Sequence, residues 1–83
     1  MKETINDLDN DALHILIGRN VARLRKKANM TQLDLSYEIG NRSPSLLSAA
    51  EVYKNKRHFN ISQLHKIAKA LNVDICEFFK QEA

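Results

Sequence analysis

The sequence predicts an all-α fold, five helices in one small domain, and three observations carry that expectation. Apolar residues recur at spacings of three and four along most of the chain, and no segment sustains a spacing of two. Only two glycines and one proline interrupt 83 residues, which favours helices over a series of tight hairpins. Side chains suited to opening a helix, at Thr31, Ser43, Asn60 and Asp74, stand just ahead of successive apolar runs.

Helix one is carried by Leu13, Ile17, Val21, Leu24 and Ala28, the stripe of an amphipathic helix. Asp9, Asn10 and Asp11 offer a cap and a favourable charge at its start, while Arg25, Lys26 and Lys27 complement the dipole in its last turn. Ile5 and Leu8 can extend it upstream. A shorter second helix opens at Thr31, carries Leu33, Leu35 and Ile39, and stops at Gly40. The stretch Asn41-Arg42-Ser43-Pro44 is a turn with a helix start built in. Ser43 is the N-cap and Pro44, with no N–H to leave unpaired, takes the first helical position. Helix three then runs over 44–53 with Leu46, Leu47, Ala49, Ala50, Val52 and Tyr53. A basic loop, Lys54-Asn55-Lys56-Arg57-His58, follows it. Asn60 with Gln63 reads as a capping pair for helix four, whose inner side is Ile61, Leu64, Ile67, Ala68 and Leu71. Asp74 and Glu77 repeat the device for a short fifth helix with Ile75, Phe78 and Phe79.

Composition narrows the function classes. Hydrophobic residues make up 43% of the chain and charged residues 28%, a globular mixture. Residues 1–15 hold Glu3, Asp7, Asp9 and Asp11 against Lys2. With a total of +3, the leader is therefore net −3 and the remainder +6. The chain reads as an acidic arm over 1–11, able to extend helix one, ahead of a basic domain over 12–83. The single cysteine excludes an internal disulfide, the acidic start is unlike a signal peptide, and no apolar run spans a membrane. A cytoplasmic protein with no membrane partner is the expectation. Three scattered histidines and one cysteine give no metal-site spacing, and no nucleophile-base-acid order, phosphate-cradling glycine loop or paired-carboxylate pattern occurs. No metal, no cofactor, no catalytic residue and no enzyme activity are expected. Cys76 reads as a small buried hydrophobe, His65 as a surface residue or one turned to phosphate, and His14 as part of an ordinary helix face.

The segments IGRNVARLRKKANMTQLDLSYEIG, SLLSAAE and ISQLHKIAKALNVDICEFF carry a more specific signal. From about Ile17 to Phe79 the chain resembles the phage-repressor (Cro/cI, XRE-type) helix-turn-helix family. That resemblance implies a five-helix lambda-repressor-like DNA-binding domain and a sequence-specific transcriptional regulator of double-stranded DNA, commonly a repressor and commonly a homodimer. It implies that helix two lies across the sugar-phosphate backbone, with Thr31 and Gln32 at a phosphate, and that helix three enters the major groove. Pro44, Ser45 and Ala49 match the base-contacting positions, with Ser48 beside them and Arg42 just ahead. Lys54, Lys56, Arg57 and His58 fall where the family places further phosphate contacts. Arg25 and Glu51 match an internal salt bridge between helix one and helix three. Ile75, Phe78 and Phe79 supply apolar material for a dimer interface, or equally for the core of the monomer.

Helix three offers no Arg, Asn or Gln at the matching positions for bidentate base pairing. Specificity then falls to a serine hydroxyl, to apolar contact with thymine methyls, to Arg42 or to DNA shape. The turn before helix three is one residue longer than usual in the family, and the loop from Glu51 to Asn60 is about two longer and lacks the customary glycine. The acidic arm lies outside the resemblance and is open to use as a dimer element, a partner-binding arm or a disordered tail. A protein-interaction module, such as an antitoxin or adaptor with secondary DNA binding, is the alternative reading.

Overall fold

The computed structural model describes residues 7–81. Four α-helices and two short 3-10 turns follow one another: α1 Asp7–Lys27, α2 Gln32–Glu38, α3 Ser45–Ala50, a turn at Lys54–Lys56, α4 Ile61–Leu71 and a turn at Ile75–Phe79. Among the described residues there is no strand. The last five positions of the acidic arm, 7–11, belong to α1, and residues 1–6 lie outside the described residues.

Charge and capping set the helix ends. Asp7 and Asp9 occupy the first turn of α1, and Arg25, Lys26 and Lys27 its last, each sign matched to the helix dipole. At α2, the Thr31 hydroxyl accepts from the Asp34 N–H while the Asp34 carboxylate accepts from the Thr31 N–H. Asn60 and Gln63 make the same reciprocal pair at the start of α4. Asn72 then ends α4 in the left-handed region, its N–H returning to Ala68 and Lys69. The fifth element is a 3-10 turn rather than an α-helix. The Asp74 carboxylate accepts from the Cys76 N–H at its start, and Lys80 pairs with Glu77 at its end.

The core gathers Ile17, Val21 and Leu24 of α1, Leu35 of α2 and Ile39 just after it, Leu47 and Ala50 of α3, Phe59, then Leu64, Ile67, Ala68 and Leu71 of α4. Phe78 closes it with no exposed surface, which corrects the reading of that residue as part of a dimer interface. A phenylalanine shut inside its own subunit contributes about 1.5–3 kcal/mol to folding and offers nothing to a partner. Phe79 is exposed and Ile75 partly buried.

Two residues of α1 explain how the terminal turn and α3 reach it. Asn20 is fully buried, and its side-chain amide donates to the carbonyls of Phe78 at 2.9 Å and Lys80 at 2.8 Å. Gly18 faces the end of α3, where an added Cβ would stand 2.6 Å from the carbonyl oxygens of Ala50 and of Glu51. Both are backbone atoms, so no side-chain rotation relieves the clash.

Gly18→Ala is expected to destabilise the fold by about 1–3 kcal/mol through overpacking, despite the roughly 1 kcal/mol that alanine gains over glycine in a helix. Asn20→Ala, which strands two carbonyls, is expected to cost about 1–3 kcal/mol. Urea unfolding checks both, and a Gly18→Ala protein as stable as the parent would refute the close approach.

Candidate nucleic-acid interface

The side of the molecule formed by α2, α3 and the basic loop is built around a buried ion pair. Arg25, near the end of α1, donates from Nε to Glu51 Oε2 at 2.8 Å and from Nη2 to Oε1 at 3.0 Å. Its Nη1 donates to the Met30 carbonyl at 2.8 Å, and Gln32 Nε2 donates to Glu51 Oε1 at 2.9 Å. Both charged groups are nearly closed to solvent, with side chains 9% and 3% exposed. One carboxylate therefore fixes the end of α1, the start of α2 and the residue after α3. The Gln32 amide is committed to this cluster. The Gln32 and Leu33 backbone N–H groups, in the first turn of α2, have no acceptor within the helix. The Thr31 N–H is held by Asp34, whose carboxyl it keeps below the usual range.

Helix α3 is shorter than 44–53. It spans Ser45–Ala50, with Pro44 just ahead at φ −79° and ψ 2°. The Ser43 hydroxyl still accepts from the Ser45 N–H, at 3.1 Å, and shares a hydrogen bond with the Ser45 hydroxyl. Tyr53, at φ 56°, turns the chain out of the helix. Leu47 and Ala50 face inward, and Arg42, Pro44, Ser45 and Ser48 are exposed. Ala49 is a correction: at 8% exposure it is buried, forming part of a groove wall instead of projecting from the helix.

That groove, of about 380 Å³, lies between α3 and the loop and is lined by Ser45, Ser48, Ala49, Lys54, Asn55 and Arg57. Two hydroxyls, an amide and two cations thus converge on one concave surface, the chemistry that receives anionic or hydrogen-bonding groups. Asn55 is a member that the sequence reading passed over. Its position inside a basic run concealed that its left-handed backbone, φ 52°, aims the residue at α3.

The four basic residues of the loop do not act as one set. Lys54 and Arg57 line the groove, whereas Lys56 and His58 turn to α1. Lys56 Nζ lies 3.7 Å from Asp11, and the His58 ring sits 4.1 Å, centroid to centroid, from that of His14. The Tyr53 hydroxyl donates to Asp11 at 2.6 Å, and this bond drives the phenol up to about 12. Tyr53, Asn55 and Lys56 all have positive φ with no glycine among them, a conformation that costs about 1–2 kcal/mol at an ordinary L-residue.

Residues 21–78 match a helix-turn-helix family model, which covers more than half of the chain. The chain belongs to the XRE-type helix-turn-helix family. Members of this family are DNA-binding regulatory domains rather than enzymes, and the present chain is a DNA-binding transcription regulator of that type. No curated protein matches the sequence. Among the described residues of this helix-turn-helix protein, no cluster of three or more His, Cys, Asp or Glu could hold a metal, and no helix is long and apolar enough to cross a membrane. Cys76 is exposed, not buried, and Asp74 beside it pushes its thiol up, away from the reactive thiolate. His65 is exposed on α4.

Two outcomes follow from the site's electrostatics. Arg25→Ala or Glu51→Ala, each stranding the opposite buried charge, is expected to cost about 3–5 kcal/mol in urea unfolding, with little relief from salt. Burial first, and then the His58 imidazole, holds His14 below the ordinary histidine value of 6.5, with Asp11 opposing. The Tyr53 ring stacks beside it. A base whose folded pKa is depressed contributes its stability above the unfolded value and loses it as pH falls toward the folded one. The melting temperature is therefore expected to drop as pH falls through about 6.5, and to drop less in His14→Phe.

Proposed function

We propose that the protein is a sequence-specific repressor that inserts α3 into the major groove of double-stranded DNA, with Lys54 and Arg57 of the loop on the adjoining phosphates. The observation that carries this reading is the groove shared by Ser45, Ser48, Ala49, Lys54, Asn55 and Arg57, which joins short side chains on α3 to cations on the loop. A helix with small exposed residues approaches base edges closely, and flanking cations supply sequence-independent affinity. Ser45 and Ser48 hydroxyls reach base edges, Pro44 meets thymine methyls, and Arg42 stands at the entrance. The Gln32 N–H and the Thr31 hydroxyl at the start of α2 take a phosphate in this arrangement. The bidentate partner that α3 lacks is supplied from the loop, by Asn55 for adenine, while Arg57 stays with the phosphates. Repression itself rests on the family resemblance.

The protein acts as a homodimer in this proposal, with exposed Phe79 and partly buried Ile75 as the apolar contacts and half-sites about one DNA turn, ~34 Å, apart. A second reading, a protein-interaction module, is favoured by one observation. Leu8, Leu13 and Ile15 are exposed on the stretch of α1 ahead of its first buried residue, Ile17.

Selection from a random duplex library tests the assignment. The parent is expected to enrich one sequence, in an inverted repeat, and Asn55→Ala is expected to relax one base position by about 1–3 kcal/mol. Lys54→Ala should instead weaken all sequences alike and lower the slope of log affinity against log salt by about 0.9. Absence of binding to any duplex at low salt would discard DNA recognition in favour of the interaction module.

A further inference from the structure

We propose that Asp11 and His14, on the outlying half of α1, are positioning residues for DNA binding: they latch the 53–58 loop in the conformation that aims Lys54 and Arg57 at the groove beside α3. The proposal rests on the DNA-binding reading of that groove. Its starting point is an alternation within the loop. Lys54, Asn55 and Arg57 line the groove, and Tyr53, Lys56 and His58 meet α1.

The loop needs an external hold. Three of its residues, Tyr53, Asn55 and Lys56, sit in the left-handed region at φ 56°, 52° and 62°, where side chains other than those of Asn or Asp are disfavoured. Inside the loop three hydrogen bonds oppose that cost: Lys56 N–H to the Tyr53 carbonyl at 3.2 Å, Arg57 N–H to the Lys54 carbonyl at 3.0 Å, and one between His58 Nδ1 and the Lys56 carbonyl at 2.9 Å, none of which involves α1. The loop's ends are anchored by buried Glu51 upstream and buried Phe59 downstream, with seven residues between them that those anchors leave unspecified.

Asp11 meets the left-handed run at both ends. One carboxylate oxygen accepts from the Tyr53 hydroxyl at 2.6 Å, and the other lies 3.7 Å from the Lys56 ammonium. One turn further along α1, His14 stands between the two aromatic neighbours of the run. Its ring is stacked 5.7 Å from that of Tyr53, at 17°, and lies 4.1 Å from that of His58. Two residues on a single rigid helix thus grip three on the loop. The Asp11 side chain is only 22% exposed, so its bonds are partly shielded from water and salt.

Charge alone and positioning predict opposite signs. An acid beside a DNA-binding loop repels phosphate, so removing it tightens binding if electrostatics is its whole effect. If Asp11 sets the loop, removing it weakens binding because the two cations must then be ordered by the DNA itself. The experiment is binding of the full chain to bulk double-stranded DNA across a salt series, together with amide hydrogen exchange of the free protein. Asp11→Ala is expected to bind about fivefold more weakly, with exchange at Lys56 and Arg57 accelerated about tenfold or more and that at core Leu64 unchanged. Tyr53→Phe is expected to give part of that loss, and the double variant less than the product of the two single losses, because both remove one bond. Tighter or unchanged binding by Asp11→Ala overturns the proposal, as does unaltered exchange at Lys56 and Arg57. Lys54→Ala/Arg57→Ala separates the two readings. If that variant binds as the parent does, the groove is not the DNA site, and the exchange measurement still decides whether the latch exists.

Discussion

The constraint on which this structure turns is the satisfaction of one buried carboxylate. Glu51 follows α3 directly, is closed to water, and is neutralised by Arg25 through two hydrogen bonds, with Gln32 supplying a third. An ionised side chain in that setting is tolerable only when its lone pairs are met, and meeting them requires the end of α1, the start of α2 and the end of α3 to coincide. The mutual placing of the two helices of the helix-turn-helix is thereby settled in the interior, leaving their outer faces unencumbered by structural duty. Hydrophobic packing supplies most of the folding free energy through Leu35, Leu47, Leu64, Ile67 and Phe78. It is non-directional, and the ion pair adds the orientation that packing does not dictate.

Polar groups repeat this division of labour elsewhere. Asn20, fully buried, binds the chain's last turn to α1 through two carbonyls. Asp11, on the half of α1 that precedes its buried stretch, engages the loop after α3. The long first helix thus serves as a spine with three directed attachments, to the loop near its start, to the terminal turn in its middle, and to α2 and α3 at its end. Ser36 is the exception. Its buried hydroxyl has no hydrogen-bond partner among the described residues, and nothing else there accounts for it.

How much of this was readable beforehand depends on the range over which each residue acts. Apolar periodicity and the Asn60–Gln63 capping pair are local signals, and they mark the helices and the start of α4 from the sequence alone. The Arg25–Glu51 pairing came from family resemblance, since no spacing rule connects charges 26 positions apart. Asn20 was invisible, because an asparagine in a basic helix signals nothing until the two carbonyls about 60 residues later are seen beside it. Phe78 and Phe79 are adjacent and chemically identical, so only the packing of the final turn shows which of them is interior. The loop lacks glycine yet takes three left-handed residues, and turn chemistry read from composition could not anticipate it.

The contact at Gly18 has a wider implication. With α3's last carbonyls resting against a helix backbone where even a methyl group has no room, α3 has no cushion of side chains at that point on which to tilt or slide. In the docking proposed above, α3 meets the duplex as a rigid template, and accommodation between the partners falls on the DNA. Stiffness and groove width of the site then enter the affinity directly, so that base pairs untouched by any side chain contribute to the choice of operator.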